Sequence, residues 1–411
     1  TPMMRHALLS CLSLLTATLA AAEPTVRRPN ILFFIMDDWG MGHAGAYGCR
    51  WIKTPNFDRV AREGLLFMNA YTPTAKCAPS RSTIMTGRYP WQLGAAANHQ
   101  CIFPPEYGIF PEALTAGGYF YATTGKVWGP GSMLDAQGKP RAYAGKTYNQ
   151  AKAKPPTSGI TNNDYATNFE NFLRDTRPGQ PWFFWAGPIE PHREYEAGTG
   201  ARLGGKQPSD VDRVPAIWPD NETVRNDLLD YAYEVEHSDR HLGRMLAALE
   251  SAGKLDDTLV IVTSDNGPVL DDGYKDQAVE RNQAAGHRPA GPFRGGKYSI
   301  LEGGTRVGFI ARWPGRAPAG KVSDALISQV DLAAVFTKLA GGDPAEFLKL
   351  DGVDVSAALT GGAGRETIIS STQANTLSLR DARWKFIPGV GAPGKAKNGA
   401  AKATGPLVAL L

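Results

Sequence analysis

Two stretches of the chain close an apolar run on paired oxygen donors: "NILFFIMDD" ends in Asp37 and Asp38, and "TLVIVTSDN" ends in Asp265 and Asn266. If the two runs are neighbouring parallel strands, four donors meet at one sheet edge. An all-oxygen set suits a hard divalent cation, calcium first and magnesium second, rather than zinc. Taken alone, each pair is equally what a helix cap or a turn leaves behind a strand. The stretch "TAKCAPSRSTIMTGRYP" (74–90) adds a different chemistry, because Cys77 stands among Pro, Ser and Arg in a context that neither a disulfide nor a zinc site needs.

These residues need a scaffold. The run at 28–38 is apolar throughout until its two acids, the pattern of a buried parallel strand with functional groups at its carboxyl end. "TPNFDRVAREG" (54–64), with a Thr-Pro start, helical spacing of apolar residues and a Gly stop, reads as the following helix. Further strands are expected at 119–125, 181–187 and 258–267, and the clearest helix at about 221–253 with Asp220 as its cap. Alternating strands and helices predict an α/β fold, a mostly parallel central sheet sandwiched by helices. After "VGFIARWPG" (307–315) the pattern changes to a helix near 328–341 and short strand-like pieces at 367–372 and 382–389, which suit a smaller C-terminal antiparallel subdomain. The expected division is a catalytic domain over 23–320 and the subdomain over 321–411, with no structure assigned to the Gly/Ala/Lys-rich tail.

The 411 residues are 42% hydrophobic and carry a net charge of +4, with no basic run long enough to track phosphates, so nucleic acid is a poor candidate partner. Residues 1–22 read as a signal peptide: a basic start, an apolar run from Ala7 to Leu19, then Ala20, Ala21 and Ala22. That run is too short to span a bilayer and no other segment approaches the roughly 18 apolar residues a span requires, so an exported protein, periplasmic or secreted, is expected. A lipoprotein reading of "LLSC" is weaker, since the apolar run continues past Cys11. Three cysteines then remain, Cys49, Cys77 and Cys101. Cys49 and Cys101 form one bridge or stay as two buried thiols.

The extended pattern "CAPSRSTIMTGR" resembles the signature of the sulfatase family, in which the cysteine is oxidised after synthesis to formylglycine. Other blocks resemble the same family in its order: "PNILFFIMDDWG", "TPNFDRVAREGLLFMNAYT", "TGKVWGPG", "EPHREY", "VIVTSDNG" and "GPFRGGKYSILEGGTRVGFIARWPG". Together they cover about residues 28–390. The resemblance implies an alkaline-phosphatase-like fold, a formylglycine-generating enzyme as maturation partner and a sulfated glycan as substrate. It also implies a divalent cation held by Asp37, Asp38, Asp265, Asn266 and the modified residue 77. In its mechanism a hydrated aldehyde at 77 attacks sulfur with one hydroxyl and uses the second to expel sulfate, which a thiol cannot do. Charge building on the sulfate oxygens calls for an electropositive cradle, supplied by the cation, Arg81, Lys126 and Lys297. Arg81 would hold the formylglycine, Lys126 the sulfate, and His192 would protonate the leaving group with help from Lys297.

Two departures stand out. Many sulfatases carry a histidine two or three residues after the lysine matching Lys126, whereas Val127, Trp128 and Gly129 follow here. The base is thereby unassigned; His99, in "AANHQC", lies between the right blocks, although a structural histidine is the plainer reading. The family's C-terminal part also usually extends beyond the point where this chain stops. "GPIEPHREY" and "GKVWGPG" resemble heparan N-sulfatases and bacterial polysaccharide sulfatases, leaving O-sulfate and N-sulfate open. His287 and Arg288 are candidates to meet an anionic sugar, with a solvated loop as the alternative, and Trp182, Trp185, Trp218 and Trp313 are either sugar platforms or core. A phosphodiester or phosphonate hydrolase of the same superfamily and a non-catalytic glycan-binding relative are the competing functions.

Overall fold

The structure, a computed structural model, describes residues 28–212, 214, 220–269, 293–347, 349–372, 374–388 and 407–410. The expected signal peptide, Trp218, His287 and Arg288 lie outside the described residues.

At the centre stands β1 (Asn30–Met36). Its side chains alternate between two cores: Leu32, Phe34 and Met36 pack on one face with Phe57, Tyr165 and Leu246, while Ile31, Phe33 and Ile35 pack on the other with Phe110, Phe183 and Phe336. Burial on both faces explains why this strand reads as one unbroken apolar run. Parallel neighbours flank it, β7 (Trp182–Gly187) on one side and β8 (Thr258–Ser264) on the other, and β4 (Phe120–Gly125) lies parallel beyond β7. Trp182 and Trp185 are therefore fully buried core residues.

The sheet continues past β8 through β9 (Arg306–Arg312), which is antiparallel both to β8 and to β2 (Leu65–Tyr71). The full order is completed by β6 (Lys146–Thr147) at one end and β10 (Lys321–Ser323) at the other, with β11 (Ile327–Ser328) also on β2. A short parallel pair, β3 (Cys101–Phe103) and β5 (Gly131–Met133), stands apart. The covering helices include α1 (Pro55–Glu63), α2 (Cys77–Thr86), α3 (Phe110–Ala116), α4 (Tyr165–Asp175), the short α5 (Thr199–Arg202) and the thirty-residue α6 (Glu222–Ser251).

Several details depart from expectation. The cap of α6 is Asn221, which has extended backbone and accepts from the Val224 N–H at 3.0 Å. Asp220 stands one residue too early for that bond and pairs instead with the Arg225 guanidinium, its Oδ2 2.7 Å from Nη2. The chain also crosses residue 320 without leaving the large sheet, since β10 and β11 both pair with β2. Only β12 (Ile368–Ser371), β13 (Leu377–Arg380) and β14 (Trp384–Ile387) begin the small antiparallel sheet, and the tail, for which no structure was expected, adds β15 (Leu407–Leu410) to it. Of the two readings of Cys49 and Cys101 the free thiols hold, half-buried rather than buried.

Candidate functional site

The topology brings the chemistry to one edge. β4, β7, β1 and β8 are adjacent and parallel, so Lys126 after β4, His192 after β7, Asp37 and Asp38 after β1, and Asp265 and Asn266 after β8 all emerge together. The reversed strand β9 starts at this edge, which brings the preceding Lys297 there as well. Lys126 is placed by a close approach: its N–H donates to Gly187 O at 2.7 Å, and a Cβ on Gly187 would lie 1.9 Å from Lys126 O.

From β2 the chain runs over the same edge into α2, whose first residue is Cys77, 2% exposed. The free N–H groups of this ten-residue helix begin at the cysteine, so its dipole adds positive potential there. Every polar residue of the motif has a partner. Ser80 Oγ donates to Asp265 O at 2.7 Å, and Ser82 Oγ donates to Ala96 O at 2.7 Å. The Arg81 guanidinium, fully buried, donates to Asp265 Oδ2 at 2.8 Å and to Lys126 O at 2.6 Å. The helix thus binds the β8 and β4 ends to each other.

Asp37, Asp38 and Asp265 place carboxylate oxygens within 4.8 Å of one another, all buried. Lys126 Nζ pairs with Asp37 and Lys297 Nζ with Asp38 Oδ2 at 2.8 Å. Asp38 itself is held in the left-handed region at φ 65°, a conformation costly for a non-glycine residue and typical of functional sites. Burial pushes Asp37 up, but Lys126, His192, Arg81 and Lys297 outweigh it and hold that carboxyl far below the usual range. Burial and the adjacent Asp37 push Asp265 the other way, up to about 7. Two buried oxygens, Asp37 Oδ1 and Asn266 Oδ1, have no hydrogen-bond partner among the described residues. The Asn266 amide nitrogen is fully used, donating to Asp38 Oδ1 at 2.6 Å and to Gly267 O at 2.8 Å. Orphaned oxygens beside crowded carboxylates fit a hard cation, which would satisfy them and relieve the repulsion that raises Asp265. Three carboxylates are already matched by Arg81, Lys126 and Lys297, so a divalent ion makes the pocket net positive and suited to an anion.

His192 Nδ1 lies 2.5 Å from Arg193 O, which holds its proton on that nitrogen, so Nε2 faces Lys297 Nζ at 3.2 Å and Asp38 Oδ2 at 3.6 Å. Asp37, Cys77 and His192 also bring one ligand atom each within 4.8 Å of one another. On another side, His99 Nε2 lies 3.4 Å from Cys77 Sγ. Burial and the charges of Lys76, Lys297 and Lys126 push His99 down to about 4, so it is neutral at neutral pH. Burial pushes the Cys77 thiol up, which keeps it protonated. Trp128, at the histidine-free position, is core: its indole donates to Ser82 Oγ at 2.7 Å and stands edge-on to Phe103 at 5.5 Å.

The structure thus brings Asp37, Asp38, Cys77, Arg81, Lys126, His192, Asp265, Asn266 and Lys297 to one site and adds His99. Gln329 went unnoticed in the sequence; its amide donates to Ser264 O at 2.5 Å, behind the β8 acids, and no local pattern marks it. Among the described residues no helix is long and apolar enough to cross a membrane.

The Sulfatase family profile matches residues 29–342. The chain is 30% identical to the N-acetylgalactosamine-6-O-sulfatase of Bacteroides thetaiotaomicron, over 89% of this chain and 84% of that protein. It is 29% identical to the N-acetylgalactosamine-6-sulfatase of Canis lupus familiaris, over 89% and 72% respectively. In fold it is similar to a Bacteroides thetaiotaomicron protein solved in work on glycosaminoglycan metabolism, with a TM-score of 0.65 at 24% identity over 93% of each chain. The sulfatase PsFucS1 from Pseudoalteromonas sp. is likewise similar, with a TM-score of 0.63 at 21% identity over 94% of this chain and 82% of that one.

Proposed function

The chain belongs to the sulfatase family and is a sulfuric ester hydrolase; from that premise we propose that it is exported and releases sulfate from a sulfated carbohydrate, using formylglycine made from Cys77 and a calcium-type divalent cation. The observation that carries this reading is Cys77 at the head of α2, flanked by His99 at 3.4 Å and with its Sγ within 4.8 Å of a potential ligand atom on each of Asp37 and His192. The O-sulfatase and 6-sulfatase names of the relatives favour an ester over a sulfamate, and 6-O-sulfated N-acetylhexosamine as the first substrate class to test.

Asp37, Asp38, Asp265 and Asn266 would hold the cation, which when bound polarises a sulfate oxygen. Cys77 would carry the formylglycine, whose hydrate would offer one hydroxyl as nucleophile and a second for release of sulfate. Around them the residues of this chain divide the remaining work. Lys126 and Lys297 neutralise charge on the sulfate oxygens. Arg81, locked to Asp265 and the Lys126 carbonyl, keeps the head of α2 in register with the β8 and β4 ends. The Lys297–His192 pair, 3.2 Å apart, delivers a proton to the leaving oxygen at His192 Nε2. Neutral His99, whose Nε2 faces the position 77 side chain, would accept a proton from a hydroxyl there, the task left open by Val127, Trp128 and Gly129. That position of His99 favours catalysis over glycan binding alone.

The test is the mass of the tryptic peptide 77–81, "CAPSR", from protein made in an exporting host that modifies another sulfatase, with sulfate release measured on the same sample. Formylglycine together with sulfate release supports the reading; an unmodified thiol in such a host defeats it.

A further inference from the structure

The protein also has a recess of about 140 Å³ lined by Thr74, Trp91, Asn98, Thr372 and Asn375 together with proline, glycine and alanine. It adjoins the reaction site along the chain: Asn98 precedes His99, and Thr74 lies three residues before Cys77. We infer that this recess is a subsite for one uncharged sugar residue of the substrate, the neighbour of the sulfated one. The inference rests on the proposed glycan sulfatase activity and narrows its substrate class.

Size, lining and rigidity each bear on the occupant. The volume is well below the roughly 300–1,000 Å³ of pockets that enclose drug-sized ligands, so a single ring fits and a longer chain does not. The lining combines hydroxyl and amide groups with one aromatic ring, donors and acceptors for sugar hydroxyls beside a flat apolar face. Trp91 is half-buried and stacks on Tyr89 at 4.4 Å and 10°, which fixes its plane. None of the lining residues is charged, in contrast to the cationic sulfate site. A carboxylate or second sulfate placed here would lose water without gaining a counter-charge, so the recess selects against a uronate.

Both walls are preformed. The Asp351 carboxylate accepts from Tyr89 N and Gln92 Nε2, each at 2.8 Å, and holds the Trp91 turn. On the Thr372 side Asn375 adopts φ 59° and its N–H donates to Thr372 O at 3.1 Å. The Thr372 side is tied to the Thr74 segment where Ser371 N donates to Pro73 O at 2.7 Å and Ser370 Oγ donates to Thr72 O at 3.2 Å. A site whose geometry is already set spends less of its binding energy on ordering.

The experiment uses the full chain with its peptide 77–81 confirmed as formylglycine, and two disaccharides: 6-O-sulfated N-acetylhexosamine joined to galactose, and the same sugar joined to a hexuronate. The wild type should show the lower KM on the galactose compound. Trp91→Ala should raise that KM about tenfold, with kcat held within about twofold and an unchanged melting temperature. An equal or lower KM for the hexuronate compound, or no KM change in Trp91→Ala, overturns the inference. If the wild type releases sulfate from neither, the proposed substrate has failed, and ligand-observed NMR with the unsulfated galactosyl N-acetylhexosamine decides the recess on its own. Binding lost in Trp91→Ala supports it, and absence of binding, or binding indifferent to Trp91, overturns it.

Discussion

Arg81 Nε and Asp265 Oδ2 meet at 2.8 Å with neither side chain exposed to solvent. The pair joins α2 to the end of β8 at the point where the cysteine motif and the second acid pair converge. Breaking a buried pair by removing one partner leaves an uncompensated charge and costs about 3–5 kcal/mol. Arg81→Ala should therefore lower the unfolding free energy measured by urea titration by an amount of that order and abolish sulfate release. Arg81→Lys should recover part of the stability, since it restores the charge without the fork that also reaches Lys126 O. A fully stable Arg81→Ala protein would show that Asp265 is already neutral.

The orphaned Asp37 and Asn266 oxygens make the site's response to cations a stability measurement that needs no substrate. An ion that binds only the folded chain stabilises it by about 2.7 kcal/mol at a free concentration near 100 times its Kd. Calcium added after chelation should raise the melting temperature, with magnesium weaker, and Asn266→Ala should reduce the shift. No shift with either ion would remove the cation from the proposed mechanism.

How much of this could be read beforehand depended on how local each signal was. The acid pairs were visible because each follows the apolar run of a buried parallel strand, directly after Met36 in β1 and after Thr263 and Ser264 in β8. The cysteine motif was visible because Ser80, Arg81 and Ser82 each carry a bond from consecutive positions of one helix. His99 was only a candidate, since its loop has no periodicity and its meaning comes from a thiol 22 residues away in the chain. The recess was invisible: Thr74, Trp91 and Asn375 are far apart in the chain, and of the tryptophans that the sequence offers as sugar platforms Trp182 and Trp185 are core. The cap of α6 was misplaced by one residue because Asp220 and Asn221 are both good caps, and only the backbone angles decide between them.

The two histidines at the nucleophile should separate in kinetics. A proton donor matters most when the leaving group is poor, so His192→Ala should lower kcat by about 10²–10⁴-fold on a sugar sulfate and much less on 4-nitrophenyl sulfate. His99→Ala should instead slow the later half of turnover, so that release of 4-nitrophenol outruns release of sulfate in the first cycle. Equal slowing of both products in His99→Ala would assign that residue to structure alone.

Far from the nucleophile, His237 and His241 stand on successive turns of α6 with Nε2 atoms 3.2 Å apart. Burial, joined by the mutual repulsion of the pair and by Arg240 for His237, pushes that residue down from 6.5 to about 3. Burial takes His241 to about 4, with Asp164 opposing and Arg244 and Arg240 assisting. A folded pKa below the unfolded one means that the unfolded chain takes up protons the native state refuses. Their stabilisation is complete above the unfolded value near 6.5 and is lost as pH falls toward 4, on the order of 3 kcal/mol for each residue. Asp230 and Asp239, raised by burial to about 6, act with the opposite sign over part of this range, so the comparison must be between variants. His241→Gln should flatten the loss of unfolding free energy between about pH 6.5 and 4 while leaving the activity of the correctly modified enzyme at neutral pH unchanged. An acid-side slope as steep as the wild type's would mean that both histidines already accept protons in the folded state.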